Sequence, residues 1–359
     1  PLTEDWIKQR ATNEPLTEIT QIKGTSDAHP ALSPNDEWAD FERYEYFIGS
    51  SEASTPSEGD YVRSALARGL AIEEAEGANP YAFGLIGSSD THIGAGTFVE
   101  EKHWGKFPTD GAGPTMRSSV PPNGEASWDD VPSAKGRVLS GGNYSASGLA
   151  GVWADANTRE AIFDAMRRKE TFGTSGPRMK VRFFGGPDLR EDILGSTNLV
   201  ELAYENGVTM GGDVVLSDSA EPGFIAWAMA DPLSAPLQRL QIIKVWAENG
   251  DLKETIFDAA CSGGDLPDPE THRCPDNGAQ VDISTCQTSG DGAGELKAFW
   301  RDPGFSAEQS AAYYVRVLEN PTCRWSTWDA VRSGTPPNPK FPMTLQERAW
   351  SSPIWVKSE

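Results

Sequence analysis

The sequence is short of positive charge and of long apolar segments. Its 359 residues contain 31 Lys and Arg against 53 Asp and Glu, which gives a formal net charge of −22. Nucleic-acid binding relies on clustered basic side chains that neutralise phosphates. The charge balance therefore argues against a nucleic-acid partner and against anionic membrane surfaces. No apolar run approaches the 18 residues of a transmembrane helix, so no membrane span is predicted.

Several catalytic and metal-binding motifs are also missing. The sequence has no Gly-x-Ser-x-Gly elbow, which would present a nucleophilic serine at the end of a strand. It has neither a Cys-x-x-Cys pair nor a zinc-ribbon spacing. Histidine occurs only four times, at positions 29, 92, 103 and 272. Chemistry in this chain therefore has to be sought among a few histidines and the abundant carboxylates.

The four cysteines, at 261, 274, 286 and 323, lie in the C-terminal half. An even number of cysteines in a loop-rich segment predicts two disulfides rather than free thiols. Disulfides in turn indicate an oxidising compartment, such as the periplasm or the outside of the cell. Three pairings are possible. We favour Cys261–Cys274, which would close a Gly/Asp/Pro-rich loop, together with Cys286–Cys323.

The most informative motif is Asp-Thr-His at 90–92, which follows a short apolar run at 83–87. Residues two apart on a strand point the same way. A carboxylate and an imidazole that project together from the C-terminal end of a strand suit a metal such as Zn, Mn or Fe. The competing interpretation is a strand-to-turn junction in which Asp90 caps the next segment and His92 has no special role.

A family resemblance strengthens the metal interpretation. Gly-Ser-Ser-Asp-Thr-His at 87–92 resembles the last metal motif of the polymerase-and-histidinol-phosphatase (PHP) superfamily. Together with the following blocks, it resembles the PHP-related bacterial family called domain of unknown function 3604. The blocks are residues 15–24, 26–30, 147–154, 158–165, 174–178 and 323–330. The resemblance runs along nearly the whole chain and implies metal-dependent hydrolysis.

The resemblance also implies more ligands than this sequence holds. PHP proteins begin with a His-x-His motif on the first barrel strand and assemble two or three divalent metal ions. This chain has no His-x-His, and it begins at Pro1, well inside the family pattern. We therefore expect it to be the C-terminal portion of a longer protein. A further N-terminal segment, carrying the remaining metal ligands, would be its partner.

Five other residues are candidates for the same site. Glu18 lies on a predicted strand at 16–23, where a carboxylate needs a partner; it would orient a ligand or water, bind metal, or form an ion pair. Lys23 and His29 follow that strand, and His29 could coordinate metal or act as an acid or base unless it is simply a surface histidine. His103 and Arg178 are candidate substrate contacts, although an inter-domain salt bridge would explain Arg178 equally well.

The pattern of elements predicts an α/β part followed by a β part. Residues 1–180 would form the C-terminal part of a distorted PHP-type β/α barrel, and 94–144, rich in Gly, Pro and Ser, would be a long flap over the metal site. Residues 181–359 would form a β-sandwich that carries the disulfides. Helices are expected after Ser33-Pro34, from Asp60 to Gly77 and over 157–170, and a tight hairpin turn at Asn249-Gly250.

These observations predict a metal-dependent hydrolase, first of all a phosphoesterase. Metal-activated water would attack the ester, and Lys23, Arg178 or flap residues would hold an anionic small-molecule substrate. Two other functions remain open. One is a non-catalytic secreted protein that binds or assembles through its acidic sandwich and has a vestigial metal site. The other is a metal-dependent amidohydrolase on the same scaffold.

Overall fold

The structure is a computed structural model that describes residues 2–48, 50, 52–122, 127–128, 141–217 and 220–358. Within these residues there are five α-helices: α1 Glu4–Asn13, α2 Val62–Glu76, α3 Arg159–Arg167, α4 Leu199–Asn206 and α5 Trp325–Ser333. The strands are β1 Leu16–Gln21, β2 Gly24–Thr25, β3 Gly84–Gly87, β4 Leu149–Val152, β5 Thr171–Thr174, β6 Lys180–Gly186, β7 Val208–Thr209, β8 Asp213–Leu216, β9 Gly223–Met229, β10 Leu237–Glu248, β11 Asp251–Cys261, β12 Gln280–Asp282, β13 Gln287–Ser289, β14 Glu295–Arg301, β15 Ala311–Glu319, β16 Thr322–Cys323, β17 Thr344–Leu345, β18 Arg348–Ser351 and β19 Ile354–Ser358.

A small three-stranded sheet in the order β2-β1-β3 carries the predicted motif. Strands β1 and β3 are parallel, as in a β/α unit, and α2 is the connecting helix. Apolar side chains bury one face of α2 in a core that also contains Ile19 of β1 and Leu85 of β3. Gly77 ends the helix in the left-handed conformation, at φ 77°, as predicted. This packing brings the C-terminal ends of β1 and β3 together.

The largest sheet has eight strands and contains the three longest ones, β10, β11 and β15. Its main path is β11-β10-β15-β18-β5-β4, and β19 joins it beside β15 and β8. A second sheet, in the order β14-β9-β6-β7, packs over it. Inward-facing side chains of both sheets, such as Phe183, Phe224 and Val315, are fully buried in one core. The two faces thus enclose the main apolar core of the protein.

The predicted barrel is wrong. In the part of the chain that the structure describes, the sheets are separate and mainly antiparallel, with 30% strand against 20% helix and no closed barrel. β4 and β5 run antiparallel to each other, and β5 pairs with β18, far along the chain. A β/α barrel needs consecutive parallel strands. The fold is mostly β, and the division at residue 180 stays a prediction.

Some of the local predictions are confirmed and others are wrong. Asn249 and Gly250 both have positive φ, 53° and 85°, and form the predicted hairpin turn between β10 and β11. The helix expected after Ser33-Pro34 is wrong, because residues 33–48 form turns and isolated bridges. Asp36 explains part of this difference. Its carboxylate accepts the backbone N–H of Trp38 and binds buried arginines, so the segment is held by tertiary contacts.

Both predicted disulfides are confirmed. Cys261 pairs with Cys274 and Cys286 pairs with Cys323, and no cysteine is free. The first bond closes the loop that follows β11. The second joins the β12–β13 hairpin to the residue that precedes Arg324 and α5. None of the helices in the described ranges combines the length and apolar content needed to cross a membrane.

Candidate functional site

The candidate site is the turn that follows β3. The backbone N–H of Ser88 donates to the carbonyl of Thr20, and that of Ile22 donates to the carbonyl of Ser89, so the ends of both strands are joined. Gly87 has no room for a side chain, because a Cβ there would lie 2.6 Å from the carbonyl oxygen of Leu149. Asp90 then adopts the left-handed conformation with φ 47°, which is uncommon for a residue other than glycine.

Two lysines converge on the carboxylate of Asp90. Lys106 Nζ lies 2.9 Å from Asp90 Oδ2 and also donates to the backbone carbonyl of Asp90. Lys23 Nζ contacts the same carboxylate oxygen. The side chain of Lys106 is almost fully buried, whereas that of Lys23 is 22% exposed. Burial lowers the pKa of Lys23, and the neighbouring charge of Lys106 lowers it further.

His92 stands beside this pair on the solvent side. Its Nε2 is 3.5 Å from Asp90 Oδ1, and its side chain is 54% exposed. The ring meets Phe107 edge-on at 4.9 Å between centroids. The backbone N–H of His92 donates to the carbonyl of Lys106 at 2.8 Å. An accessible imidazole is thus held against a carboxylate by the segment that also supplies Lys106.

Glu18 joins the cluster from β1. Its carboxylate accepts a hydrogen bond from the hydroxyl of Ser88, and its charge raises the pKa of both Lys23 and Lys106 against the lowering effect of burial. Glu18 also lines an open cavity of about 400 Å³ between β1 and the start of α2. The structure therefore brings four of the candidate residues together, Glu18, Lys23, Asp90 and His92, and the roles predicted for them stay predictions.

These residues do not fit the expected metal centre. A catalytic zinc site takes three protein ligands, but the described residues contain no group of three or more His, Cys, Asp or Glu that could hold a metal ion. Asp90 and His92 offer only two donors, and two ammonium groups already occupy the carboxylate. A two- or three-metal site would need ligands beyond this set.

Comparison with protein families identifies the chain. The model of the family described as Protein of unknown function (DUF3604) matches residues 1–358. The chain belongs to the DUF3604 family. A search of curated proteins finds no match.

Three residues predicted for the site lie in other surroundings of this DUF3604 chain. His29 accepts the backbone N–H of Ala31 and contacts Arg43 at 3.0 Å. Burial lowers its pKa, and the charge of Arg43 adds to the effect. His29 therefore favours the neutral form. The role of His29 as an acid or base stays a prediction.

His103 and Arg178 are also separate from the cluster in their contacts. The ring of His103 stacks on Trp325 with centroids 4.2 Å apart, and both ring nitrogens are buried without a hydrogen-bond partner in the described part of the chain. Burial holds its pKa well below the ordinary value. Arg178 is exposed, and its backbone N–H donates to Asp231. Their substrate contacts stay predictions.

Lys106 is the site residue that sequence reasoning missed. It lies in the Gly/Pro-rich excursion, where periodicity gives no signal. Asp110, four residues later, holds the backbone here, because its carboxylate accepts the N–H groups of both Lys106 and Phe107. The turn aims Lys106 at Asp90 and Phe107 at His92.

Proposed function

We propose that this DUF3604 protein is a hydrolase of anionic esters, phosphoesters first, and that the turn after β3 is its active site. The observation that carries this proposal is the convergence of Lys23, Lys106 and His92 on Asp90. Ammonium groups suit phosphate oxygens, and an exposed imidazole beside a carboxylate suits proton transfer. The cluster therefore offers both anion recognition and acid–base chemistry.

The proposed reaction uses groups of the chain alone. The partly exposed Lys23 binds a non-bridging phosphate oxygen and stabilises the charge that develops there. His92 takes a proton from a water molecule while the water oxygen forms a bond to phosphorus and the ester P–O bond breaks. The imidazolium, stabilised by Asp90, then returns the proton to the leaving alkoxide. Lys106, which is buried, holds the turn that places Asp90.

A hydrolysis assay tests this proposal. A panel of phosphomonoesters, phosphodiesters and amides is offered to the wild-type protein and to His92→Gln and Lys23→Met. Removal of a general base is expected to lower kcat by about 10²-fold or more, whereas Lys23→Met is expected to raise KM. His272→Gln and Lys253→Met are matched controls on the β11 side of the molecule. Absence of phosphoester turnover by the wild type, or unchanged kcat in His92→Gln, overturns the proposal.

Metal dependence is a separate part of the proposal. The resemblance to PHP enzymes implies Zn, Mn or Fe, while the donor set found here is incomplete. Elemental mass spectrometry on wild-type protein and on Asp90→Asn, both purified without chelators, decides between a metal centre and a metal-free site. Two or more equivalents of metal that disappear in the variant would support a metal centre at this turn. Metal-free protein that still turns over phosphoesters would support the chemistry proposed above.

A second candidate function is binding without catalysis. Two lysines neutralise Asp90, and this arrangement also suits a site that only holds an anion. Calorimetry with inorganic phosphate separates the two, because a binding protein would take up phosphate and release nothing from any ester in the panel. Cleavage of amides but not phosphoesters would instead favour the amidohydrolase.

We also propose that the protein works in the periplasm or outside the cell. The two disulfides support this location, since they persist in oxidising compartments. Alkylation of free thiols in intact bacterial cells, followed by a gel-shift assay, tests it. Cysteines that react fully before any reduction would contradict the proposal.

A further inference from the structure

Helix α5 holds the segment that delivers Lys106. This segment, residues 100–117, has no long helix or strand of its own and contains two short 3-10 helices, Glu100–Lys102 and Asp110–Ala112. Its contacts with α5 occur at both ends. Side-chain contacts with α5 therefore help to fix its position, together with the backbone hydrogen bond from His92 to the carbonyl of Lys106.

The strongest contact is an ion pair between Arg117 and Asp329 of α5. Arg117 Nε and Nη2 donate to the two carboxylate oxygens of Asp329 at 3.0 and 2.9 Å, and both side chains are at least nine-tenths buried. A two-pronged arginine–carboxylate pair restricts geometry as well as adding energy. The hydroxyl of Ser119 donates to the same carboxylate at 2.7 Å.

From Arg117 the contacts continue to Lys106. Arg117 Nη1 donates to the backbone carbonyl of Asp110 at 3.1 Å. The carboxylate of Asp110 accepts the backbone N–H groups of Lys106 and Phe107 at 2.9 and 2.8 Å. A continuous series of hydrogen bonds therefore runs from Asp329 through Arg117 and Asp110 to Lys106, and Lys106 ends it at Asp90.

The start of α5 holds the other end of the segment. The backbone N–H of Trp325 donates to Glu100, and its ring stacks on His103. Cys323 lies two residues before the helix and is bonded to Cys286 on the β12–β13 hairpin. Cys261–Cys274 instead closes a loop after β11 and takes no part in these contacts. Of the two disulfides, only Cys286–Cys323 anchors the start of α5.

We propose that Asp329 is a positioning residue for Lys106, and that the Cys286–Cys323 disulfide fixes α5 for this role. The effect of this positioning on catalysis rests on the proposed function, whereas the position of Lys106 does not. Loss of either element would free residues 100–117, withdraw Lys106 from Asp90 and expose its ammonium group. The geometry of the site therefore depends on the formation of one specific disulfide, Cys286–Cys323.

Competitive acetylation tests the position of Lys106 directly. Limiting acetic anhydride is added to the folded protein, and mass spectrometry compares labelling of Lys106 with that of Lys8, whose side chain is 62% exposed. We expect Lys106 in the wild type to react at least about tenfold more slowly than Lys8. The variants Asp329→Asn and Cys286→Ser/Cys323→Ser are expected to remove most of this protection, because local opening exposes buried groups. Asp329→Glu is expected to restore part of it.

Two matched controls separate positioning from general destabilisation. Asp302→Asn breaks a buried ion pair with Lys244 elsewhere in the fold, and Cys261→Ser/Cys274→Ser removes the other disulfide. Both are expected to leave Lys106 protected. Equal labelling of Lys106 and Lys8 in the wild type overturns the proposal, as does full protection in the Asp329→Asn and Cys286→Ser/Cys323→Ser variants.

Folding of the variants is checked by circular dichroism before labelling. If the main variants do not fold, Ser119→Ala removes one hydrogen bond to Asp329 and is expected to raise labelling of Lys106 about threefold by easier local opening. No change in that variant overturns the proposal. Because the labelling readout needs no substrate, exposed Lys106 in Asp329→Asn supports the positioning role even if the wild type hydrolyses nothing in the panel.

Discussion

Lys106 contacts Asp90 twice, once at the carboxylate and once at the backbone carbonyl. The two residues are 16 positions apart, and Asp90 sits in a left-handed conformation that costs free energy for a residue with a side chain. The buried ammonium group of Lys106 therefore both compensates the charge of Asp90 and stabilises its strained backbone turn. Because His92 follows two residues later, the direction of its imidazole depends on the same contact.

Lys106→Met tests this dependence. The variant leaves the carboxylate of Asp90 without its buried ion-pair partner and the carbonyl without its donor, and we expect a loss of about 1–3 kcal/mol in the free energy of unfolding. Urea denaturation measures the change. Lys253→Met, which removes a partly exposed lysine, is the control and is expected to change stability by less than about 0.5 kcal/mol. Equal stabilities of the two variants would contradict a structural role for Lys106.

A second prediction concerns pH. Glu100 and Glu347 are buried close to one another; burial raises the pKa of Glu100 to about 8, and that of Glu347 well above its ordinary value. Both carboxyls are protonated in the fold at neutral pH, whereas the unfolded chain ionises above about 4.5. Their contribution to stability is therefore complete below pH 4.5 and is lost as the pH rises through the folded pKa.

Glu347→Gln is the corresponding experiment. The amide cannot ionise, so the variant is expected to lose less stability than the wild type between pH 5 and pH 8. Urea unfolding at the two pH values measures the difference. Glu295→Gln, on the exposed face of β14, serves as the control. Parallel pH profiles for wild type and Glu347→Gln would show that Glu347 is ionised in the folded protein.

His103 gives the opposite dependence. Its folded pKa is held well below the ordinary 6.5 by burial and by the charges of Arg324 and Arg117. The unfolded chain binds the proton first, so stability is lost as the pH falls below 6.5. His103→Phe keeps a ring to stack on Trp325 and removes the titration. Between pH 7 and pH 5, the Tm of this variant is expected to fall less than the Tm of the wild type. An equal fall in both proteins would contradict the prediction.

Arg316 is the centre of a buried charge network. It is fully buried, binds both oxygens of Asp36 at 2.8 and 2.7 Å, and donates to Gln241 at 2.7 Å. Arg316→Met leaves Asp36 with a single arginine, Arg63. Breaking one partner of a buried ion pair costs about 3–5 kcal/mol. Urea denaturation should show a loss of this size, whereas the exposed Arg301→Met should cost little.

Several of the correct sequence predictions depend on neighbouring residues. Gly77 ends α2 because a left-handed residue is needed there, and Asn249-Gly250 forms a turn for the same reason. The predicted helix over 157–170 is observed as Arg159–Arg167, with Thr158 as its cap. Glu18, Lys23, Asp90 and His92 meet because the adjacent parallel strands β1 and β3 end together.

The wrong or missed features depend on distant residues. The barrel prediction fails because the partners of β5 are β4 and β18. The pairing of Thr174 with Ala349 cannot be read from the residues around either position. Lys106 was missed because its position comes from Arg117 and Asp329, which are 212 residues apart. Asp60 binds Ser57 instead of capping α2, which begins after Tyr61.

Strand β19 has neighbours on both sides. It pairs antiparallel with β15 at residues 311–313 and parallel with β8 at residues 213–216, and Ile354, Trp355 and Val356 are buried. A protease that trims residues 354–358 would uncover two rows of unpaired N–H and C=O groups together with an apolar groove. Exposed strand edges of this kind recruit other chains. The five residues of β19 therefore cover two strand edges and an apolar groove at the same time.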